Sequence, residues 1–223
     1  MSKKFELTTN TKMFLGKKLF QIKALVSFGN VEAGELGGYI EKEENLSHDG
    51  DAWVCGNAEV SGNAEVCGNA EVCGNARVYG NAWVCGNARV YGNAEVCGNA
   101  EVCGNAEVCG NARVYGNAWV YGNARVYGNA EVCGNAEVSG NAEVCGNAEV
   151  CGNADYATIK GFGTEYRTTT FFKCKDGKVR VKCGCFYGDL NEFRDQVKST
   201  RSGKIAEEYL LVADLMEKHF MEE

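Results

Sequence analysis

The 223-residue chain has no proline and only two histidines, His48 and His219. Without proline, nothing in the sequence interrupts a backbone hydrogen-bond ladder. Few groups are left to shuttle protons near neutral pH, and neither histidine falls between residues 50 and 157. No run is apolar enough to cross a membrane, and the opening Met1-Ser2-Lys3-Lys4-Phe5-Glu6 lacks the pattern of a secretory leader, so the expected location is the cytoplasm. A threonine array of the kind that binds ice is missing, as is a glycine-rich cofactor fingerprint; the many glycines are spaced as corners.

What is present is one hexapeptide, Gly-Asn-Ala-x-Val-x, repeated without a gap from Gly50 to Ala157 as 18 hexads in 108 residues. A fixed short period specifies a solenoid. Val (Val54, Val60, Val66 and onward) and Ala (Ala58, Ala64, Ala70 and onward) are the fixed apolar positions. Each hexad therefore reads as a short strand holding Val inward, with Ala filling the tighter space beside it. Gly-Asn is the corner, both residues being tolerant of positive φ. The variable positions flanking Val point outward, because strand side chains alternate.

The charges set the length of a coil. Stacked strands lie roughly 4.8 Å apart, so residues one coil apart are neighbours. Two hexads per coil would put Arg77 on Arg89 and Arg113 on Arg125; four would put Arg89 on Arg113. With three, Arg77 lies between Glu59 and Glu95, Arg89 between Glu71 and Glu107, Arg113 between Glu95 and Glu131, and Arg125 between Glu107 and Glu143. Only Glu131/Glu149 and Glu137/Asp155 remain as like-charge neighbours. The expected fold is an all-β triangular solenoid of six coils, roughly 29 Å long at the strand spacing.

The organisation has three parts: an N-terminal β cap over 1–49, the array over 50–157, and an α+β module over 158–223. Their basic and acidic counts are seven and seven, four and twelve, and twelve and eleven, which sum to the chain's −7. The array, at −8, is the acidic part, and this argues against direct nucleic-acid binding by its walls. Ten of the thirteen cysteines occupy the outward position after Val, where Cys55, Ser61 and Tyr79 interchange. That tolerance reads as a small filler with free thiols rather than disulfides. A linear thiol row does not converge as a zinc site must, and Cys183-Gly184-Cys185 has no partner pair, so it reads as a buried hairpin end and no metal is expected.

In the N-terminal cap, Lys18–Val26 and Gly38–Ile40 read as strands, and Asn45-Leu46-Ser47-His48 as an imperfect first hexad with His48 in the Val place. In the C-terminal module, Thr168–Lys173 and Lys178–Cys183 read as a hairpin turning at Asp176-Gly177. Asp189 caps a helix to about Lys198 with Glu192 at the capping-box spacing, and a helix from about Lys204 to Phe220 carries the stripe Ile205, Tyr209, Val212, Leu215 or Met216, and Phe220. His219 would balance that helix's C-terminal dipole.

Val-x-Gly-Asn-Ala-x resembles the hexapeptide repeat of left-handed parallel β-helix proteins, which implies a left hand for the solenoid. Gly37-Gly38-Tyr39-Ile40-Glu41-Lys42-Glu43-Glu44-Asn45-Leu46-Ser47, running into Asp51-Ala52-Trp53-Val54, is similar to the start of YdcK-like proteins of bacteria and their phages. The resemblance implies a bacterial or phage origin, with the host cytoplasm as the location in the second case. Gly184-Cys185-Phe186-Tyr187-Gly188-Asp189-Leu190-Asn191-Glu192-Phe193 resembles a small module that recurs beside such arrays.

Three functions follow as alternatives. By fold analogy the YdcK-like proteins are often labelled acyltransferases, a reaction that resembles histidine-based transfer from acyl-CoA in a cleft between trimer subunits. His48 is the candidate base, yet the array has no inserted loop to carry such a site. The favoured reading is a structural or interaction scaffold without a cofactor, partnered by another protein or by itself, possible as a trimer. Its candidate surface is the wall with Trp83 and Trp119 two coils apart, Glu65, Glu101 and Glu137 around them, and Tyr121 beside. The third reading is acidic mimicry of nucleic acid, which the interleaved arginines disfavour.

Overall fold

The computed structural model describes residues 3–221; Met1 and Ser2 of the N-terminal cap, and Glu222 and Glu223, lie outside the described residues. Three strands open the chain, β1 (Phe5–Phe14), β2 (Lys17–Ala24) and β3 (Leu36–Ile40). Two-residue strands then follow one per hexad, from β4 (Trp53–Val54) and β5 (Glu59–Val60) to β20 (Glu149–Val150). They stack in three parallel sheets that form a solenoid of about six turns. The first wall is β4-β7-β10-β13-β16-β19, the second continues β3 through β5-β8-β11-β14-β17-β20, and the third is β6-β9-β12-β15-β18. The register advances by 18 residues, as the charges require: Glu95 faces Arg77 on one side and Arg113 on the other, with Val96 between Val78 and Val114.

Every array Val and Ala from Ala52 to Val150 is buried, and together they make one continuous core. Backbone bonds run coil to coil, for example Arg89 N–H to Ala106 O at 2.9 Å. At the corners only glycine takes positive φ; Gly98 sits at φ 72°, and a Cβ there would lie 3.0 Å from the backbone N and O of Gly116. Asparagine does not share that conformation, contrary to the sequence expectation. It works through its side chain: from Asn57 to Asn129 the corner Asn Nδ2 donates to the Asn Oδ1 one coil on, as in Asn81→Asn99 at 2.9 Å and Asn99→Asn117 at 2.9 Å. The corner pair thus divides its labour, glycine for backbone approach and asparagine for an amide ladder on each edge.

The N-terminal cap is larger than the sequence indicated. A hairpin of β1 and β2 precedes β3, and β3 forms the first rung of the second wall, Tyr39 facing Glu59 and Ile40 facing Val60. The second strand ends at Ala24, not Val26, and β1 was not foreseen because its polar and apolar residues alternate weakly. Leu46, not His48, takes the Val place opposite Val66, since the short helix Glu43–Asn45 shifts the chain by two residues. Asn45 is buried there and donates to Gly62 O and Ala64 O.

At the other end the final hexad leaves the solenoid. Asn153–Asp155 form a short helix and the chain continues into an antiparallel sheet of β21 (Tyr156–Ile159), β22 (Thr169–Lys173), β23 (Val179–Cys183) and β24 (Phe186–Asp189). Two helices, α1 (Leu190–Thr200) and α2 (Gly203–Phe220), cover its outer face. Asp189 caps α1 through the amides of Asn191 and Glu192, and Glu192 returns a bond to the Asp189 N–H, completing the expected capping box. In α2, Tyr209, Val212, Ala213, Met216 and Phe220 face in, while Leu211 and Leu215 are exposed; the stripe therefore runs through Met216. His219 lies in the last turn against Phe220. Strand β22 is buried on both sides: Phe172 joins the solenoid core and Phe171 the helix core.

The cysteine expectation is corrected in part. Cys55 bonds to Cys73 and Cys133 to Cys151, each across 18 residues with Cα atoms 4.7 and 4.3 Å apart. Adjacent coils bring the paired sulfurs together, which the tolerance for Ser and Tyr at this position had obscured. The other six array cysteines are free thiols. Cys183 and Cys185 flank the turn between β23 and β24; Cys185 is exposed, so this hairpin end is not buried.

Candidate functional site

The outward rows give each wall its own chemistry. On the second wall Arg77 pairs with Glu59 at 3.4 Å, and Arg113 with Glu95 at 3.3 Å and Glu131 at 3.6 Å. On the first, Arg89 meets Glu71 at 3.4 Å and Arg125 meets Glu107 at 2.9 Å. The caps extend these rows with cations that the period alone could not reveal. Lys12 of β1 pairs with Glu59 at 2.9 Å, Lys175 with Glu131 at 2.7 Å, and Lys182 with Glu143 at 3.8 Å. Lys175 offsets the like-charge pair of Glu131 and Glu149. The other expected clash, Glu137 with Asp155, is recast: the Asp155 carboxylate accepts from the amides of Cys151 and Gly152 and pairs with Lys173 at 3.4 Å. The hairpin β22–β23 thus brings a lysine to the C-terminal part of each row, Lys182 to Glu143, Lys175 to Glu131 and Lys173 to Asp155.

Tyrosine after Val is more than a filler. It occurs only where Arg or Trp precedes that Val. Its hydroxyl donates to the glutamate of the next coil: Tyr79 to Glu95, Tyr91 to Glu107, Tyr115 to Glu131 at 3.1 Å and Tyr127 to Glu143 at 3.1 Å. Three of the arginines lie over the ring beside them, at 5.6 Å for Arg89 on Tyr91, 5.2 Å for Arg113 on Tyr115 and 5.5 Å for Arg125 on Tyr127, while Arg77 lies over Phe14 at 5.3 Å. The Tyr–Arg coincidence in the sequence was the available signal for this second layer of order.

These contacts lower the pKa of two carboxyls. Lys175 holds Glu131 below its ordinary value, and at Glu107 the bonds from Tyr91 and Arg125 outweigh the opposing effect of burial. A carboxyl depressed in the folded state contributes stability above its unfolded pKa and loses it as pH falls through the folded one. Stability is therefore expected to decline below the ordinary value of 4.5. Glu131→Gln should flatten that decline in urea titrations followed by circular dichroism across the acid range; an unchanged slope would refute the ladder's part in it.

The third wall differs. Glu65, Trp83, Glu101, Trp119 and Glu137 follow one another in register, with no arginine in the row. Trp83 and Trp119 are 43% and 45% exposed, whereas Trp53 of the first wall is buried. The Trp83 Nε1–H donates to Cys67 Sγ at 3.1 Å, and Tyr121 donates to Glu137 at 3.4 Å. Among the described residues, Glu65 and Glu101 have no basic partner. The wall is thus a ridge of alternating indole and carboxylate, bordered by Cys67, Cys85, Cys103 and Tyr121.

His48 lies apart from that wall. Its ring stacks on Phe5 with centroids 4.4 Å apart, its Nδ1 accepts from the Lys4 amide at 3.1 Å, and its Nε2 lies 3.8 Å from Glu43. The histidine joins β1 to the first coil. At the far end, a cleft of about 570 Å³ between the last coil and the hairpin is lined by Glu149, Asp155, Lys173 and Phe220. Cys55, Glu71 and Cys73 bring ligand atoms within 4.8 Å of one another, both sulfurs being joined in the disulfide. No described helix is long and apolar enough to cross a membrane.

Residues 70–86, 82–98, 106–122 and 118–134 match the family model for the YdcK beta solenoid repeat. No curated protein matches the chain. The matched segments overlap in two blocks, each beginning just ahead of an Arg–Trp–Arg group: Arg77, Trp83 and Arg89, then Arg113, Trp119 and Arg125.

Proposed function

We propose that this chain, which carries YdcK-type β-solenoid repeats, is a non-enzymatic cytoplasmic scaffold whose third wall docks a basic segment of a partner protein. One observation carries the reading: Trp83 and Trp119 are exposed in a row whose glutamates Glu65 and Glu101 have no basic partner among the described residues. On the other two walls every arginine sits between carboxylates. A ridge of indoles flanked by carboxylates suits guanidinium or ammonium groups, which gain both ion pairing and cation–π contact. Pairing of this wall with its own copy would set acidic rows against each other, which disfavours it as a trimer seam.

Acyl transfer from acyl-CoA gains little support from the geometry. His48 uses Nδ1 to accept a backbone N–H and packs flat on Phe5. Calorimetric titration with a hexa-arginine peptide tests the docking reading. Binding is expected in low salt, weakened by at least about tenfold in the Trp83→Ala/Trp119→Ala variant and weakened by Glu101→Gln. Equal affinity for the double variant would overturn the docking site. Acyl-CoA turnover that is lost in His48→Ala would overturn the non-enzymatic reading.

A further inference from the structure

We propose that Cys67, Cys85 and Cys103 form an oxidisable thiol row in which Cys85 is the shared partner of two alternative disulfides. The three cysteines stand one above another on the third wall, each 18 residues from the next. Their backbone register matches that of the two bonded pairs. Cys67 N–H binds Val84 O and Cys85 N–H binds Val102 O, just as Cys55 N–H binds Val72 O and Cys133 N–H binds Val150 O. The same stacking that closes Cys55–Cys73 and Cys133–Cys151 therefore sets Cys85 beside both of its neighbours. Cys103 and Cys67 both add to the upward push that burial gives the Cys85 thiol. All three thiols are free and half-buried.

An odd number of thiols in one row has a chemical consequence. With a hydroperoxide as oxidant, one thiol gives a sulfenic acid, RSH + R′OOH → RSOH + R′OH. Its row neighbour then displaces water, RSOH + RSH → RSSR + H₂O. Cys85 has a neighbour on each side, while Cys67 and Cys103 lie two coils apart. The first disulfide is either Cys67–Cys85 or Cys85–Cys103, and one end thiol is always left over. As a thiolate, that thiol attacks the Cys85 sulfur and expels the other end cysteine as a thiolate, so the bond moves along the row without further oxidant. Burial pushes Cys85 up to about 11, which keeps it a thiol at neutral pH and makes its attack on a sulfenic neighbour faster in alkali; burial raises Cys103 as well, so its attack on the Cys85 sulfur is also faster in alkali.

Trp83 reports the event, because its indole N–H donates to Cys67 Sγ. Bonding Cys67 to Cys85 removes a thiol from that contact and changes the environment of a docking-wall tryptophan. Serine occupies the equivalent row position at Ser139, and Ser61 does so on the second wall, so Cys→Ser variants suit the fold.

The test is treatment of the folded, full chain with one equivalent of hydrogen peroxide, then alkylation, denaturation, trypsin digestion and mass mapping. Arg77 and Arg89 separate the three cysteines into different tryptic peptides. Cys67–Cys85 and Cys85–Cys103 crosslinks are both expected, in proportions that shift with time after peroxide is removed. Cys67→Ser should retain only the second and Cys103→Ser only the first. Cys85→Ser should leave Cys67 and Cys103 without any crosslink to each other. A Cys67–Cys103 crosslink in Cys85→Ser, or the absence of row crosslinks in the wild type, would overturn the proposal.

Discussion

Gly98→Ala is expected to cost about 2–4 kcal/mol, whereas Gly140→Ala should cost only about 1–2 kcal/mol. The two glycines have nearly the same backbone, φ 72° and 67°, so both substitutions force an L-residue into the left-handed region. They differ in what the new methyl meets. At Gly98 it would lie 3.0 Å from the N and O of Gly116, and at Gly140 nothing lies within 4 Å. The difference between them isolates the close approach of coils from the conformational cost. Gly98→Ala should also strain the amide ladder through Asn99, which receives from Asn81 and donates to Asn117. Denaturant midpoints from circular dichroism, with hydrogen exchange at the flanking coils, measure both effects. Equal losses at the two sites would show that φ alone governs the corner.

The second large effect concerns β22. Phe172→Ala should cost about 3–5 kcal/mol, the range for a large aromatic removed from a packed core. Phe171→Ala should cost about as much, yet the consequences should separate. Phe172 closes the end of the solenoid core, beside Cys145 and Cys174, while Phe171 packs against Phe193 in the helix core. Loss of Phe172 exposes the last coil, whose unpaired rungs invite association with other chains. Hydrogen exchange in Phe172→Ala should therefore rise first in residues 131–150, with aggregation on heating. In Phe171→Ala it should rise first in α1 and α2. Identical exchange patterns would mean that the sheet transmits damage equally through both faces.

How far these features could be read beforehand depended on period. The coil length, the inward Val and Ala, and the arginine–glutamate order were all legible because each depends on a residue meeting its own kind 18 positions on. What escaped the reading was non-periodic. The strand β1 was missed, and His48 was placed two residues wrong because the turn at Glu43–Asn45 has no counterpart in the array. The lysines that extend the rows belong to caps whose position on the solenoid no repeat encodes. The disulfides failed for a different reason. Tolerance of Ser and Tyr at one position was judged across all hexads, yet pairing depends on the row, and Cys55 and Cys73 are consecutive within theirs. The ridge of Trp83 and Trp119 was found from the sequence; its isolation from basic residues emerged only once all three walls could be compared.

The walls also govern how such a gene can lengthen or shorten. Three nested periods operate on different properties. Six residues restore the backbone, so any whole number of hexads can fold. Eighteen restore the wall, since three hexads close a coil. Only 36 restore the sign of charge, because Glu and Arg alternate between coils. Excising residues 90–125 would set Arg77 beside Glu131, Arg89 beside Glu143 and Trp83 beside Glu137, each a pairing of the native type. Excising residues 96–113 keeps every wall but sets Glu95 on Glu131 and Arg89 on Arg125. Removing one hexad transfers all later side chains to the next wall and turns the C-terminal sheet with them. The recurrence of Arg77, Trp83 and Arg89 as Arg113, Trp119 and Arg125 is the spacing that this grammar permits without penalty, so coils gained or lost in pairs keep the native pairings.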